Sequence, residues 1–240
     1  MIREGIQEAL HLLLNCDESV FDAAARSIQV SVTAVVAASV VGIATGLFLA
    51  RKTFPGRSVV VVLLRLGMSV PTVLIGLLCY GMLSRHGPFG TIDLGPIGTY
   101  QPLYTTTAIV IGEFFLALPI VATWTHGAIS RLDSRIPETA RTLGAGPLQR
   151  SLTYLSEARI AIVLAVLTAF SRCFTELGIA MMVGGNLKDQ TRTLTTATAM
   201  ENNKGNFANG VAMCLILLLI ALVVTTAISL LSRNQQETGP

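Results

Sequence analysis

The chain has 240 residues, of which 52% are hydrophobic and only 13% are charged, and its mean hydropathy is +0.64. This composition excludes the ordinary water-soluble globular class and indicates an integral membrane protein. The formal net charge of +3 reflects basic residues placed beside membrane spans, and it does not indicate nucleic-acid binding.

The apolar segments predict an all-α membrane protein with five transmembrane helices. On a window of about 19 residues, the spans cover residues 28–50, 58–83, 105–125, 160–183 and 211–231. These spans and their connections form one transmembrane domain, residues 27–232, which is followed by a short tail, residues 233–240. Residues 1–26 lack a cleavable signal pattern and are predicted to form a separate external segment. Its apolar side chains recur at helical spacing, which predicts an amphipathic helix on the membrane surface: Ile2, Ile6, Ala9, Leu10 and Leu13.

The positions of lysine and arginine predict the orientation, because basic residues beside a span resist translocation. One set of connections, with the tail, holds nine basic residues: Arg51, Lys52, Arg57, Arg131, Arg135, Arg141, Arg150, Arg159 and Arg233. The other set holds six, diluted by acidic residues near the N-terminus: Arg3, Arg26, Arg85, Lys188, Arg192 and Lys204. The N-terminus is therefore predicted outside and the C-terminus in the cytoplasm, with residues 126–159 as a basic cytoplasmic loop.

Pro71 lies inside the second span, where it removes a backbone donor and predicts a kink that exposes polar backbone. Two roles are open for it, namely lining a pathway through the membrane or kinking the helix for packing alone. In the first span, Gly42 and Gly46 have the Gly-x-x-x-Gly spacing that favours close approach of a second helix.

Arg172 and Glu176 lie near the middle of the fourth span, where unpaired charges are unfavourable. Four residues apart on a helix, they share a face and can form an ion pair. The pair is either a structural element that fixes helix packing or part of a pathway in which Arg172 meets an anion. Glu113 and Arg65 are possible further partners, although Arg65 lies nearer the cytoplasmic end and can extend its charge toward water.

The sequence has no glycine-rich phosphate loop followed by Lys-Ser or Lys-Thr, so any ATP is expected to be hydrolysed by another chain. Its four cysteines are scattered and its histidines share no ligand spacing, which gives no metal site.

The cytoplasmic loop carries the sequence Glu138-Thr139-Ala140-Arg141-Thr142-Leu143-Gly144-Ala145, preceded by Pro137 and followed by residues 154–158. This segment resembles the EAA loop of the permeases of binding-protein-dependent ABC importers. Thr139 and Ser156 depart mildly from the usual motif. The resemblance implies a coupling helix that docks on a separate ATPase subunit, where ATP and Mg bind. It assigns the coupling role to Glu138, Thr139, Ala140, Leu143, Gly144 and Ala145.

Further segments are similar to the tungstate-type branch of oxyanion permeases, which is related to molybdate permeases. They are residues 71–77, 83–90, 176–186 and 191–197. The resemblance implies a methionine- or molybdate-importer-like fold in a bacterial or archaeal cytoplasmic membrane. It also implies three kinds of partner: a second copy of the chain, two ATP-binding subunits, and an extracytoplasmic protein that delivers the oxyanion. Tungstate is the expected substrate, with molybdate or another small anion as the alternative.

The external segment, residues 184–206, is rich in threonine and basic residues. Arg192, Thr193 and Thr195 are candidates for a gate or an anion-facing vestibule, and an ordinary polar loop remains open as the alternative. An ion-coupled secondary transporter is disfavoured, because the sequence shows no repeated hydropathy unit. A membrane enzyme is disfavoured too, because no catalytic cluster lies at a shared depth.

Overall fold

A computed structural model describes residues 6–7, 18–93, 98–133, 135, 142 and 144–237. Its longer helices, in chain order, are α1 Glu18–Arg51, α2 Arg57–Gly67, α3 Thr72–Leu83, α4 Thr106–Ser130, α5 Pro147–Glu157, α6 Arg159–Phe174, α7 Leu194–Asn203 and α8 Phe207–Glu237. A π-helical turn, Ala180–Gly184, follows α6. Between α3 and α4, strands β1 Ile92–Asp93 and β2 Thr99–Tyr100 pair antiparallel with Ile92 opposite Tyr100. The predicted all-α membrane architecture is confirmed.

Three helices of the described chain are long and apolar enough to cross a membrane: Glu18–Arg51, Thr106–Ser130 and Phe207–Thr226. The number rises to five if each of two bent helix pairs forms one span. The first pair, α2 and α3, is bent by 101°, and the second pair, α5 and α6, is bent by 68°.

The second predicted span, residues 58–83, is therefore not one continuous helix. Helix α2 ends at Gly67, and α3 begins after Pro71, whose carbonyl accepts from Leu74 N at 2.9 Å. Proline has no N–H to continue a helix from the preceding turn and disfavours helical geometry in the residue before it. The kink predicted at Pro71 is consequently a full break.

The fourth predicted span, residues 160–183, is interrupted as well. Helix α6 ends at Phe174, and the Thr175 hydroxyl donates back to Ser171 O at 3.0 Å. The chain then turns before the π-helical turn begins at Ala180. Residues 160–177 contain no proline or glycine that would predict the end of the helix at Phe174. Hydropathy alone therefore predicts a helix that continues past this residue.

Helix α1 starts ten residues earlier than the first predicted span. Residues 18–26, which the sequence assigns to a surface segment, are its first turns, and Val20 and Ala23 are buried in a cluster that includes Leu194 and Met213. The reason is that the small apolar stripe of α1 continues to the N-terminal end of the helix. At the other end of the chain, α8 extends to Glu237 and so includes the start of the predicted tail.

Helices α1 and α4 pack closely, as the Gly-x-x-x-Gly spacing predicts. A Cβ on Gly42 would lie 3.0 Å from Val121 Cβ, and one on Gly46 would lie 2.7 Å from Ala122 O. The main core extends from this contact to α3, α6 and the π-helical turn. Many large apolar side chains outside it are exposed in the single chain, as expected for lipid-facing or subunit-facing surfaces: Val40, Leu78, Leu218, Leu222 and Val223.

Candidate translocation pathway and coupling region

Four of the six predicted coupling residues, Glu138, Thr139, Ala140 and Leu143, lie outside the described residues. Gly144 and Ala145 are described and lead directly into α5. Gly144 has φ of +76°, and a Cβ there would have no atom within 4 Å. This left-handed geometry favours glycine and accommodates asparagine or aspartate better than other residues.

Helix α5, Pro147–Glu157, has clear start chemistry. Pro147 occupies its first turn, where a missing N–H is harmless, and Gly146 N donates to Gln149 Oε1 at 2.8 Å. One face of α5 carries Leu148 and Leu152, which are 72% and 58% exposed. Two exposed leucines one helical turn apart form an apolar surface beside the coupling segment.

Arg51 at the end of α1 holds a neighbouring face of α5. Its guanidinium donates to the Pro147 carbonyl and to the Ser151 hydroxyl, and it lies over the Tyr154 ring with Cζ 5.1 Å from the centroid. Tyr154 in turn packs against a small core cluster that includes Ile129 and Ile162. Any displacement of α5 therefore acts on the ends of α1, α4 and α6.

The two helix breaks meet in the interior. A Cβ on Gly178, in the turn after α6, would lie 3.2 Å from Thr72 Oγ1 at the start of α3. One turn further along α3, a Cβ on Gly76 would lie 3.1 Å from Met182 Cβ in the π-helical turn. The sequence candidates Pro71 and Glu176 thus lie on either side of one close contact between two interrupted helices, an arrangement that frequently lines cavities in membrane proteins.

Glu176 organises this turn from a buried position. Its Oε1 accepts from Gly178 N at 2.8 Å and from Ile179 N at 3.3 Å, and its Oε2 accepts from Arg172 Nη1 at 2.7 Å. The Glu176 side chain is 3% exposed, whereas that of Arg172 is 43% exposed. The predicted ion pair therefore forms, and its arginine retains an open side.

The predicted external residues hold α7 in place. The Thr193 hydroxyl caps α7 by accepting from Thr196 N at 3.4 Å, and Thr195 Oγ1 donates to Glu176 O at 2.9 Å. Arg192 Nε donates to Asn186 Oδ1 at 3.2 Å. Thr195 is thus brought to Glu176, while Arg192 and Thr193 secure the segment before α7.

The residues between α6 and the π-helical turn, 175–179, are called the Glu176 turn below. Thr195 also lines a cavity of about 380 Å³ between this turn, α7 and α8. Its other lining residues are mainly apolar and include Leu177, Phe207 and Cys214. The cavity borders Glu176 directly, because Leu177 and Thr195 are part of its lining.

Several residues that sequence reasoning missed fix the same region. Ser27 Oγ of α1 accepts from Leu194 N at 2.8 Å, and Thr191 Oγ1 donates to Gly184 O at 2.6 Å. Arg26 Nη1 donates to Arg192 O at 3.3 Å and its Nη2 pairs with Asp22 at 2.8 Å. The sequence feature that could have predicted the role of Ser27 is the row of small residues along α1. This row continues from Gly46 and Gly42 back through Ser31 and Ser27 at near-helical spacing.

Glu113, which sequence reasoning offered as a partner for the ion pair, is buried in α4, and no salt bridge joins it to Arg172 in the part of the chain that the structure describes. Arg65 lies elsewhere, in the last turn of α2, and has no hydrogen bond or ion pair with Arg172 or Glu176 in the described structure.

Comparison with known proteins agrees with this architecture. Residues 42–236 match the family model described as the binding-protein-dependent transport system inner membrane component. The chain belongs to this family, so the family expected from the sequence is confirmed.

Curated relatives extend over most of the chain. The tungstate uptake system permease protein TupB of Campylobacter jejuni is 36% identical over 92% of this chain and 89% of its own length. TupB of Peptoclostridium acidaminophilum is 35% identical over 95% of this chain and 96% of its own length. The molybdenum transport system permease protein ModB of Azotobacter vinelandii is 29% identical over 76% of this chain and 84% of its own length.

The fold is that of solved importer permeases. A chain of the MetNI methionine ABC transporter, in an inward-facing conformation, superimposes with a TM-score of 0.68 at 17% identity. The match covers 90% of this chain and 94% of that chain. The methionine-importer-like fold expected from the sequence is confirmed.

Proposed function

We propose that this chain is the permease subunit of an ATP-driven importer that moves tungstate into the cytoplasm. The observation that carries the proposal is the identity of 36% and 35% to two tungstate uptake permeases over 92% and 95% of the chain. The molybdenum permease of Azotobacter vinelandii matches a shorter part of the chain at 29% identity. Molybdate is therefore the second candidate, since the two oxyanions have the same charge and similar geometry.

The proposed assembly contains two copies of this chain, two ATP-binding subunits and an extracytoplasmic oxyanion-binding protein. ATP and Mg bind on the ATPase subunits, and the chain itself needs no cofactor. The coupling segment with Glu138, Ala140 and Gly144 docks on an ATPase subunit, together with Leu148 and Leu152 of α5. The exposure of these two leucines supports this docking surface, because the buried centre of a protein interface is enriched in apolar contacts.

Movement of the ATPase subunits reaches the membrane through α5. Arg51 links α5 to α1, and the 68° elbow between α5 and α6 links it to the Glu176 turn. Alternating access then follows from rearrangement where α3 meets that turn, beside Pro71. Arg172 offers its open guanidinium side to the passing anion, and Thr195 keeps α7 attached to the turn.

The proposed orientation places the N-terminus outside and the C-terminus in the cytoplasm. It is supported by the excess of basic residues on the Arg51 and α5 side of the molecule. Lys188→Cys and Leu148→Cys, in a chain whose own cysteines are replaced by serine, test it. An impermeant maleimide added to intact cells lacking an outer-membrane barrier should label the first and spare the second, and the reverse pattern would contradict the orientation.

The function is tested by measuring cellular tungsten, molybdenum and sulfur after growth in trace oxyanion mixtures. Cells with the intact chain are compared with cells lacking it and with Glu138→Arg. We expect tungsten to fall to background in both altered strains while sulfur stays constant. Loss of molybdenum with unchanged tungsten would favour the second candidate, and unchanged levels of both metals would contradict an oxyanion importer.

A further inference from the structure

A second cavity lies away from the Glu176 turn, among α2, α4 and α6. Its volume is about 460 Å³, within the range of about 300–1,000 Å³ that is usual for ligand sites. The lining includes Arg65, Met68, Thr123, Trp124, Arg131 and Leu164. Arg65 lies in the last turn of α2 and Arg131 caps the C-terminal end of α4, so two separate elements contribute the charges.

The cavity is positively charged and its charges are not compensated. No acidic residue lines it, and neither guanidinium has a hydrogen bond or ion pair within the described ranges. An arginine within a membrane helix is unfavourable unless it meets water or a partner, and this one turns toward a cavity that holds a second arginine. Both arginines are exposed in the single chain, so a ligand in the cavity can reach them.

The lining of the same cavity includes a threonine, Thr123. Thr123 Oγ1 is buried and finds no hydrogen-bond partner in the described part of the chain. Other helical threonines return their hydroxyls to the preceding turn, as Thr45 and Thr168 do at 2.7 Å. A buried hydroxyl without a partner is unfavourable, and rotation of the Thr123 side chain, which lines the cavity, would let this hydroxyl donate to a ligand oxygen there.

We propose that this cleft binds a tetrahedral oxyanion between Arg65 and Arg131, with Thr123 as an additional donor. Guanidinium groups bind such anions with two parallel hydrogen bonds, and Trp124, Met68 and Leu164 form the apolar walls beside them. Two sources supply this chemistry: the transported oxyanion on its way to the cytoplasm, and the phosphate of a lipid head group in the cytoplasmic leaflet. The first source rests on the proposed function, the second does not, and neither requires a partner subunit.

The test uses the full-length chain purified in dodecyl maltoside, which carries no phosphate. Equilibrium dialysis with elemental analysis measures tungstate binding, and native mass spectrometry counts bound phosphatidylglycerol after titration. The variants are Arg65→Gln with Arg131→Gln, and Thr123→Val as an independent, nearly isosteric change. Arg85→Gln is the matched control, since Arg85 is exposed and lies outside the cavity lining.

We expect the double variant to weaken binding of one of the two probes by at least about tenfold, since two charge-assisted contacts are lost. Thr123→Val should weaken the same probe severalfold, and Arg85→Gln should change neither. Loss of tungstate identifies the free oxyanion, and loss of phosphatidylglycerol identifies the lipid phosphate. If both probes bind the variants as they bind the control, the site is disproved, whether or not the chain transports tungstate. Should the double variant not remain monodisperse, the outcome for Thr123→Val decides.

Discussion

Arg172 and Glu176 form an ion pair, with 2.7 Å between Arg172 Nη1 and Glu176 Oε2, at the point where α6 ends. The second carboxylate oxygen of Glu176 accepts from the amides of Gly178 and Ile179. Both oxygens of this buried carboxylate are therefore used to build the turn between α6 and the π-helical turn. This contact pattern favours the interpretation in which Glu176 fixes helix packing, and the open side of Arg172 stays available for the proposed contact with an anion.

Glu176→Leu should destabilise the chain by about 2–4 kcal/mol, because it leaves two amides without an acceptor and Arg172 without its partner. Glu176→Gln keeps one carbonyl acceptor and should lose about half as much. The measurement is the fraction of monodisperse protein that remains after heating in detergent. Equal stability of the two variants would show that the amide contacts are unimportant.

Gly46→Ala should destabilise the contact between α1 and α4 by about 1–3 kcal/mol, because its Cβ would lie 2.7 Å from the Ala122 carbonyl oxygen. Gly81→Ala is the matched control, since a Cβ at this helical position in α3 has no atom within 4 Å. The same heating assay should leave Gly81→Ala unchanged or slightly more stable, as expected for alanine in a helix. A stable Gly46→Ala variant would contradict the close packing.

Gly144→Asp should abolish tungsten uptake while the protein remains in the membrane, because a carboxylate would obstruct a closely packed docking surface. Gly144→Asn is the control, since both side chains tolerate the left-handed backbone at φ of +76° and only aspartate adds charge. Uptake normalised to membrane protein level is the measurement. Equal uptake by the two variants would remove Gly144 from the coupling surface.

Arg51→Lys should reduce uptake severalfold, since lysine keeps the charge but cannot reproduce the forked contacts with Pro147 and Ser151 or the stacking on Tyr154. Lys52→Ala alters the neighbouring exposed residue and should leave uptake unchanged. Uptake and membrane protein level are measured together. Full uptake by Arg51→Lys would show that α5 acts on the membrane helices without the link to α1.

Much of the architecture was predictable from local properties of the chain. Hydropathy located the apolar segments, and the spacing of Gly42 and Gly46 predicted a close helix contact that the packing of α1 on α4 confirms. The family followed from a short motif around Glu138, because a contiguous motif is read directly from the order of the residues. The four-residue spacing of Arg172 and Glu176 likewise predicted their ion pair.

Other features depended on contacts between distant parts of the chain. Hydropathy could not reveal that α6 ends at Phe174, because the ending is stabilised by Glu176 folding back onto the amides of Gly178 and Ile179. Hydropathy also could not predict the hydrogen bond from Thr195 Oγ1 to Glu176 O. Nor could it predict the one from Leu194 N to Ser27 Oγ, whose residues are 167 positions apart in the sequence.

The sequence by itself determined that this is a membrane protein, where its apolar segments lie, and to which family it belongs. Those properties depend on composition and on short contiguous motifs, which can be recognised without knowing which helices pack together. Only the tertiary structure decided that the breaks after Gly67 and Phe174 meet at one place, and that Arg65 and Arg131 share a cavity. These relationships arise because buried polar groups must find partners, and the partner depends on which helices the whole fold brings together.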